Sequence, residues 1–364
     1  MEIKKYLHAM KDIQSNILNF LEEETNFEEN YANLTGILEE QKIREDKNRL
    51  QSLLHLLLKI SNNHYRSPDF FSKIEKILQF FFTEIMENFS NYEIFNIFKS
   101  NKRILLFLIK ESVLTIDEII ASKMTNSKYK NYFYPQYFYP EIKSFLKPEM
   151  LEEIQKVISD DFEEKRKNGE NDNYICELIR SDLINEFKDY IEEANIKLKS
   201  QIHQSIFETN SLLLKNNRQP SLIEYAAFFG SIQIFEYLVS SEIKLTNSLW
   251  LYAIHGKNLE IIKNLSENDK VNEKSIEKCF DESIKCHHVG ISNYFLETYF
   301  NEKEDSWKSA FNVLKSYNFK FIKKEYVSKD SFYYLCKYDY LILVDLLLQN
   351  KKVENEINEI FINF

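Results

Sequence analysis

Glycine and proline are scarce in this chain, at five residues each among 364. The glycines stand far apart, at Gly36, Gly169, Gly230, Gly256 and Gly290. A phosphate-cradling loop needs several residues without a Cβ close together, so G-x-G-x-x-G, the P-loop and the G-x-S-x-G elbow are all excluded. There is also no H-E-x-x-H. The four cysteines, Cys176, Cys279, Cys286 and Cys336, form no C-x-x-C pair, a usage expected of a reducing compartment. No apolar run approaches the roughly 20 residues a bilayer span requires; Leu53 to Leu58 is already interrupted by His55. The opening MEIKKYLHAMKDIQSNIL is an amphipathic helix broken by charges, without the apolar core of a secretory signal. A cytoplasmic protein with no membrane contact is expected, and the sequons at Asn33, Asn88 and Asn264 are then chance matches. Positive charge is in deficit: the net charge of −10 repels phosphate backbones, so no nucleic-acid partner is expected.

What is present is apolar and aromatic. Hydrophobic residues make up 44% of the chain, enough for a continuous core, and 29 Phe with 22 Tyr make it rich in rings. Long apolar stretches with few Gly or Pro breakers predict an all-α chain. Residues 1–170 read as an N-terminal helical region. Its first helix carries Leu7, Met10, Ile13, Ile17, Leu18 and Leu21 at helical spacing, and a second carries Tyr31, Leu34, Ile37 and Leu38. A third, from about Ile43 to Ile60, is apolar nearly all round at its end and so is expected in the core. Pro68 is expected to open a fourth, through Phe81.

Ser221 to Leu238, SLIEYAAFFGSIQIFEYL, is echoed 27 residues on by Ser248 to Leu265, SLWLYAIHGKNLEIIKNL. Self-similarity at a fixed period marks stacked units that bury their apolar faces against each other. Residues 171–364 therefore read as a repeat array, clearest from 220 to 364. Five units anchor on Ala226, Ala253, Ser283, Val313 and Leu335, at intervals of 27, 30, 30 and 22. The second helices carry Ile234 and Leu238, then Ile261 and Leu265, Ile291 and Phe295, Phe321 and Ile322, and Leu343 to Leu347. The fourth of these is the weakest match. A degenerate hairpin of the same kind is predicted at 91–111, and a fainter one at Tyr174 to Tyr190.

With Ser for the Thr of T-P-L-H-x-A-A, then Ala226-Ala227, a Gly turn and an I-F-x-Y-L helix, the unit resembles an ankyrin repeat. Together with SNNHYRSPDFFSKIEKIL, IFNIFKSNKRILLFLI and EKRKNGENDNYIC, the chain resembles ankyrin-repeat proteins of a protist-expanded family carrying a domain of unknown function. That resemblance implies an ankyrin-like helical solenoid, protein binding through its concave face and no catalysis or cofactor. The units depart from the pattern: no T-P-L-H is intact, and most are shorter than the usual 33 residues or so. Short or missing hairpin fingers follow.

Chemistry-bearing residues are sparse. Cys286-His287-His288, with Cys279 seven residues upstream, offers thiolates and imidazoles, but the spacing fits no standard zinc pattern, and no metal is expected. Paired carboxylates such as Glu22-Glu23-Glu24 are what 57 Asp and Glu produce by chance. The concave-face positions of the resemblance fall on Phe228, Phe229, His255, Lys285, Lys315 and Tyr338, the candidate protein-binding residues. Exposed rings with charges around them suit an interface, but Phe228 and Phe229 suit equally a packing role near Leu212 to Leu214. The segment YKNYFYPQYFYPE is either a binding loop or, as so apolar a stretch favours, a packing plug. A non-catalytic scaffold is the function expected. The alternative is an adaptor whose array recognises a target while the N-terminal helices recruit another machine, such as a ubiquitin ligase.

Overall fold

The computed structural model describes residues 2–67, 69–125, 133–214, 219–241, 243, 245–268, 273–300 and 307–349. These residues are helical, with no strand among them beyond an isolated bridge between Gln201 and Ser221. The helices are α1 (Glu2–Glu22), α2 (Phe27–Glu40), α3 (Lys47–Asn63), α4 (Phe70–Gln79), α5 (Phe82–Asn88), α6 (Asn91–Phe98), α7 (Lys102–Lys110) and α8 (Glu118–Thr125). There follow α9 (Tyr134–Tyr137), α10 (Tyr139–Ile142), α11 (Pro148–Gln155), α12 (Phe162–Asn168), α13 (Tyr174–Arg180), α14 (Ile184–Glu193), α15 (Leu222–Phe229) and α16 (Ile232–Ser240). The last are α17 (Leu249–His255), α18 (Leu259–Asn268), α19 (Glu273–Lys285), α20 (Val289–Tyr299), α21 (Trp307–Lys315), α22 (Phe332–Lys337) and α23 (Leu341–Leu348). None of the described helices is long and apolar enough to cross a membrane. The expected start at Pro68 lies outside the described residues.

Contacts divide the chain at 84/85 and 275/276 rather than at 170. One unit joins Met1–Glu84 to Ile276–Phe364, and the other is Ile85–Ser275.

In the first unit the two ends of the chain share a core. The stripe of α1 is buried at Leu7, Met10, Ile13, Ile17, Leu18 and Leu21, as its spacing predicts. α3 starts where Asp46 accepts bonds from the Asn48 and Arg49 backbone at 2.8 and 3.2 Å. It is buried at Leu53, Leu54, Leu56, Leu57 and Ile60, nearly all round. Tyr6 on α1 donates to Ser52 on α3 at 3.0 Å. Buried Lys73 of α4 donates to the Glu23 carbonyl at 2.5 Å, placing a cation at the carboxyl end of α1. The bond that ties the ends together is made by Gln14, which is fully buried. Its amide donates to Asn318 Oδ1 and to His287 Nδ1, both at 2.9 Å, and its carbonyl accepts from the Lys320 N–H at 3.1 Å. A buried amide is tolerated only when its donors and acceptor are satisfied, and here all are.

The helix pairs share a turn. One or two residues past the first helix of each pair, the backbone enters the left-handed region: Asp182 (φ 48°), Gly230 (71°), Lys257 (56°), His287 (60°), Tyr317 (54°) and Asp339 (55°). From Gly230 onward the intervals are 27, 30, 30 and 22, the register read from the sequence. The N–H of the next residue then bonds back five residues, closing the helix end. These bonds are Leu183 to Leu178 (3.1 Å), Ser231 to Ala226 (3.0 Å), His288 to Ser283 (3.0 Å), Asn318 to Val313 (3.3 Å) and Tyr340 to Leu335 (2.9 Å). Four of the acceptors are the anchors of the sequence repeat.

The same post-turn residue also reaches the preceding pair. Ser231 Oγ donates to the Ile179 carbonyl, Asn318 Nδ2 to Ile284 at 2.8 Å and the Tyr340 hydroxyl to Leu314 at 2.8 Å. Each acceptor lies one residue after the carbonyl that closes its own pair's turn: Leu178, Ser283 and Val313. The first of these bonds is in the unit 85–275 and the other two are in its counterpart. The fourth sequence unit is corrected: no second α-helix follows Tyr317, and Lys324–Tyr326 and Lys329–Ser331 form only 3₁₀ turns. Phe319 and Ile322 are nonetheless buried. Losing that helix accounts for the short interval of 22.

In the unit 85–275, Ser90 and Glu93 close a capping box on α6, and Ser221 and Glu224 close another on α15. Asp182 accepts from the Gln233 and Ile234 backbone at the start of α16, at 3.0 Å each. Gly256 lets α17 approach α15: a Cβ there would stand 2.4 Å from the Phe228 carbonyl oxygen and 2.7 Å from that of Ala227. Of the aromatic segment, Tyr129 to Tyr132 lie outside the described residues. The rest forms α9 and α10, with Tyr134, Tyr137 and Phe138 fully buried, as a packing plug requires. Tyr134 donates to the Lys99 carbonyl, and Tyr137 to that of Arg166 at 3.0 Å. Arg166, also buried, returns a bond to the Tyr137 carbonyl at 2.9 Å. It pairs with Glu141 at 2.6 and 2.8 Å and with Glu163 at 2.8 and 2.9 Å.

Candidate protein-interaction face

Three of the four cysteines sit in the core, and Cys336 is exposed. Cys176 and Cys279 are buried, and burial pushes both thiols up to about 12, far from thiolate reactivity. Lys102 is buried and pulled down to about 7 by desolvation against the opposing pull of Glu208. Its amine donates to the Ile206 carbonyl at 2.8 Å and lies 4.7 Å from the Tyr137 ring. A small pocket lined by Asn171, Ile202, His203, Glu208, Leu213 and Tyr225 lies in the same unit. It is too small for an organic substrate. His287 and His288 are buried packing residues, and His287 occupies the left-handed turn where glycine is usual.

The six expected binding residues divide three and three between the units. Phe228 and His255 are buried at 6% and 1% exposure, with rings stacked 4.8 Å apart, so neither presents a side chain to a groove, as had been expected. Between the two expectations for Phe228, the packing role is the one its burial fits. Phe229 is half-buried among Tyr225 (4.7 Å), Phe228 (4.9 Å) and the Arg180 guanidinium (5.9 Å). Lys285 is half-buried and pairs with Glu282 at 2.8 Å. Desolvation opposes its charge, but Glu282 and Cys286 outweigh it and hold the amine above its usual range.

Lys315 and Tyr338 do come together at the surface. Lys315 is exposed at the end of α21, and its amine lies 5.9 Å from the Phe311 ring one turn earlier. Phe311 faces α22 through Tyr334 at 4.9 Å and Tyr338 at 6.0 Å. Tyr333, at 64% exposure, packs edge-on against Tyr334 at 5.2 Å, and Lys337 lies 5.4 Å from Tyr333 and 5.9 Å from Tyr338. Burial and the Tyr334 and Tyr333 hydroxyls push the Tyr338 phenol up, so it stays a neutral donor.

Phe311–Lys315, Tyr333–Lys337 and Tyr334–Tyr338 are i,i+4 neighbours, the spacing that places two side chains on one helix face. That signal is in the sequence. The residues it adds to Lys315 and Tyr338 are Phe311, Tyr333, Tyr334 and Lys337. No family model matches the chain, and no curated protein or solved structure matches it.

Proposed function

We propose that this protein is a non-catalytic interaction scaffold: an ankyrin-like helical-repeat solenoid with hairpin fingers short or missing, binding a partner protein through the first helices of its pairs. The observation that carries the reading is the repeated turn. A left-handed residue, a backbone bond to the anchor and a side-chain bond to the preceding pair recur in the register of the sequence repeat. Units that close on their neighbours in this way belong to arrays whose common use is protein recognition. The α21–α22 face supplies tyrosines of the kind interface hot spots favour, flanked by lysines. The reading needs no cofactor and places the protein in the cytoplasm.

Cys336 makes a direct test. It is exposed on α22, whereas the other three cysteines are buried. A photoactivatable maleimide on Cys336 of the full chain should yield discrete protein adducts in a lysate of the source cells. Those adducts should disappear in a folded Tyr333→Ala/Lys337→Ala variant. A smear unchanged by the variant, or the same adducts from a chain labelled at a cysteine placed on α1 instead, would refute the reading.

A further inference from the structure

The exposed face of α21 and α22 carries the amines of Lys315 and Lys337, with Asp281 hydrogen-bonded to Asn312 of α21 to one side. Residues 313–339 contain six lysines against three acids, in a chain of net charge −10. Among the described residues neither Lys315 nor Lys337 forms an ion pair; each amine lies beside a ring instead. The carboxylate at the edge of the face, Asp339, is 3.6 Å from His55.

Between the amines lie Phe311, Tyr334 and Tyr338, half-buried, with the exposed Tyr333 packed edge-on against Tyr334. Rings in this setting offer an apolar floor with polar tips, and the amines flank it. Resting on the binding reading above, we propose that this face docks an acidic segment of a partner protein. Carboxylates lie opposite Lys315 and Lys337, and an aliphatic or aromatic side chain rests on Phe311 and Tyr334. Charge complementarity selects this occupant. A second copy of the chain would bring the same lysines to the contact. A nucleic acid carries a charge at every residue and meets the repulsion of the whole molecule along its length, whereas a short acidic segment meets chiefly the local lysines.

The test uses the purified full chain and a display library of random 12-residue peptides. The expected winners carry several Asp or Glu around an apolar anchor and bind more weakly as salt rises, since exposed charge pairs are screened. They should lose at least tenfold in affinity to Lys315→Glu/Lys337→Glu and to Tyr333→Ala/Tyr334→Ala, with helicity by circular dichroism unchanged in both. Neutral or basic winners that depend on the tyrosines and ignore the lysine reversal would overturn the acidic partner and leave the binding reading standing. No winner that depends on this face would overturn both. An oligo-dT strand that binds the face more tightly than the selected peptides would assign it to single-stranded nucleic acid instead and overturn the proposal.

Discussion

Acid should weaken the unit formed by the chain ends, because two histidines there are held neutral. His287 accepts a bond from the Gln14 amide at Nδ1, which puts its proton on Nε2. A second proton would set N–H against N–H. Burial lowers it to about 3, helped by His64 and Lys59. His55, stacked on Tyr317 at 5.2 Å, is lowered to about 4 by burial and by Lys59, with Asp339 at its rim. A depressed imidazole binds protons more readily in the unfolded chain. Stability is therefore complete above the unfolded value of 6.5, falls as the pH drops below it, and levels off only under the folded values. Each histidine loses about 1.4 kcal/mol per pH unit in that window, or about 4 kcal/mol for the pair between pH 7.5 and pH 5.

Asp281 works the other way. Its carboxyl is raised to about 6 by burial, against an Asn312 hydrogen bond and with Glu277 and Glu282 adding to the rise. It returns about 1 kcal/mol over the same range once solvent screening is allowed for. A net loss of about 3 kcal/mol is then expected, a large share of an ordinary domain's stability. Urea unfolding followed by circular dichroism at steps from pH 7.5 to 5 measures it, and stopping at pH 5 keeps carboxylates such as Glu163 out of the titration. His287→Asn keeps a side chain that tolerates the left-handed turn and removes the titration, so its loss over the same range should be about 1 kcal/mol, about a third of the parent's. A flat profile in the parent, or parallel slopes in parent and variant, would refute the reasoning.

Gly256→Ala should cost about 1–3 kcal/mol by overpacking, because its Cβ meets the Phe228 and Ala227 backbone rather than a movable side chain. The gain in helix propensity is smaller, so the melting temperature should fall, and an unchanged value would show that α17 shifts freely. Arg166→Met removes the counter-charge of Glu141 and Glu163 and should cost about 3–5 kcal/mol. A urea midpoint within error of the parent's would mean that solvent already screens that pair.

Helix type and burial could be read from one dimension. The stripe of α1 and the nearly all-round α3 follow from spacing, and the anchors Ala226, Ser283, Val313 and Leu335 follow from self-similarity alone. Local periodicity encodes such features because a helix pairs residues three and four apart. The second helix after Tyr317 misled, since the apolar Phe321 and Ile322 lie in irregular backbone ahead of the 3₁₀ turns, where Ile322 is buried without a helix. The i,i+4 pairs of the α21–α22 face were equally local, but the meeting of those two helices was not.

The sequence by itself determined an all-α chain, the register of its repeat and the absence of loops for nucleotide chemistry. Only the tertiary structure decided that Gln14 meets His287 and Asn318, across about three hundred residues of chain. It also decided that Phe228 and His255 turn inward while Lys315 and Tyr333 stay in water. The physical reason is that spacing sets which face a side chain shares, whereas burial depends on what packs against that face, and partners distant in sequence leave no periodic trace.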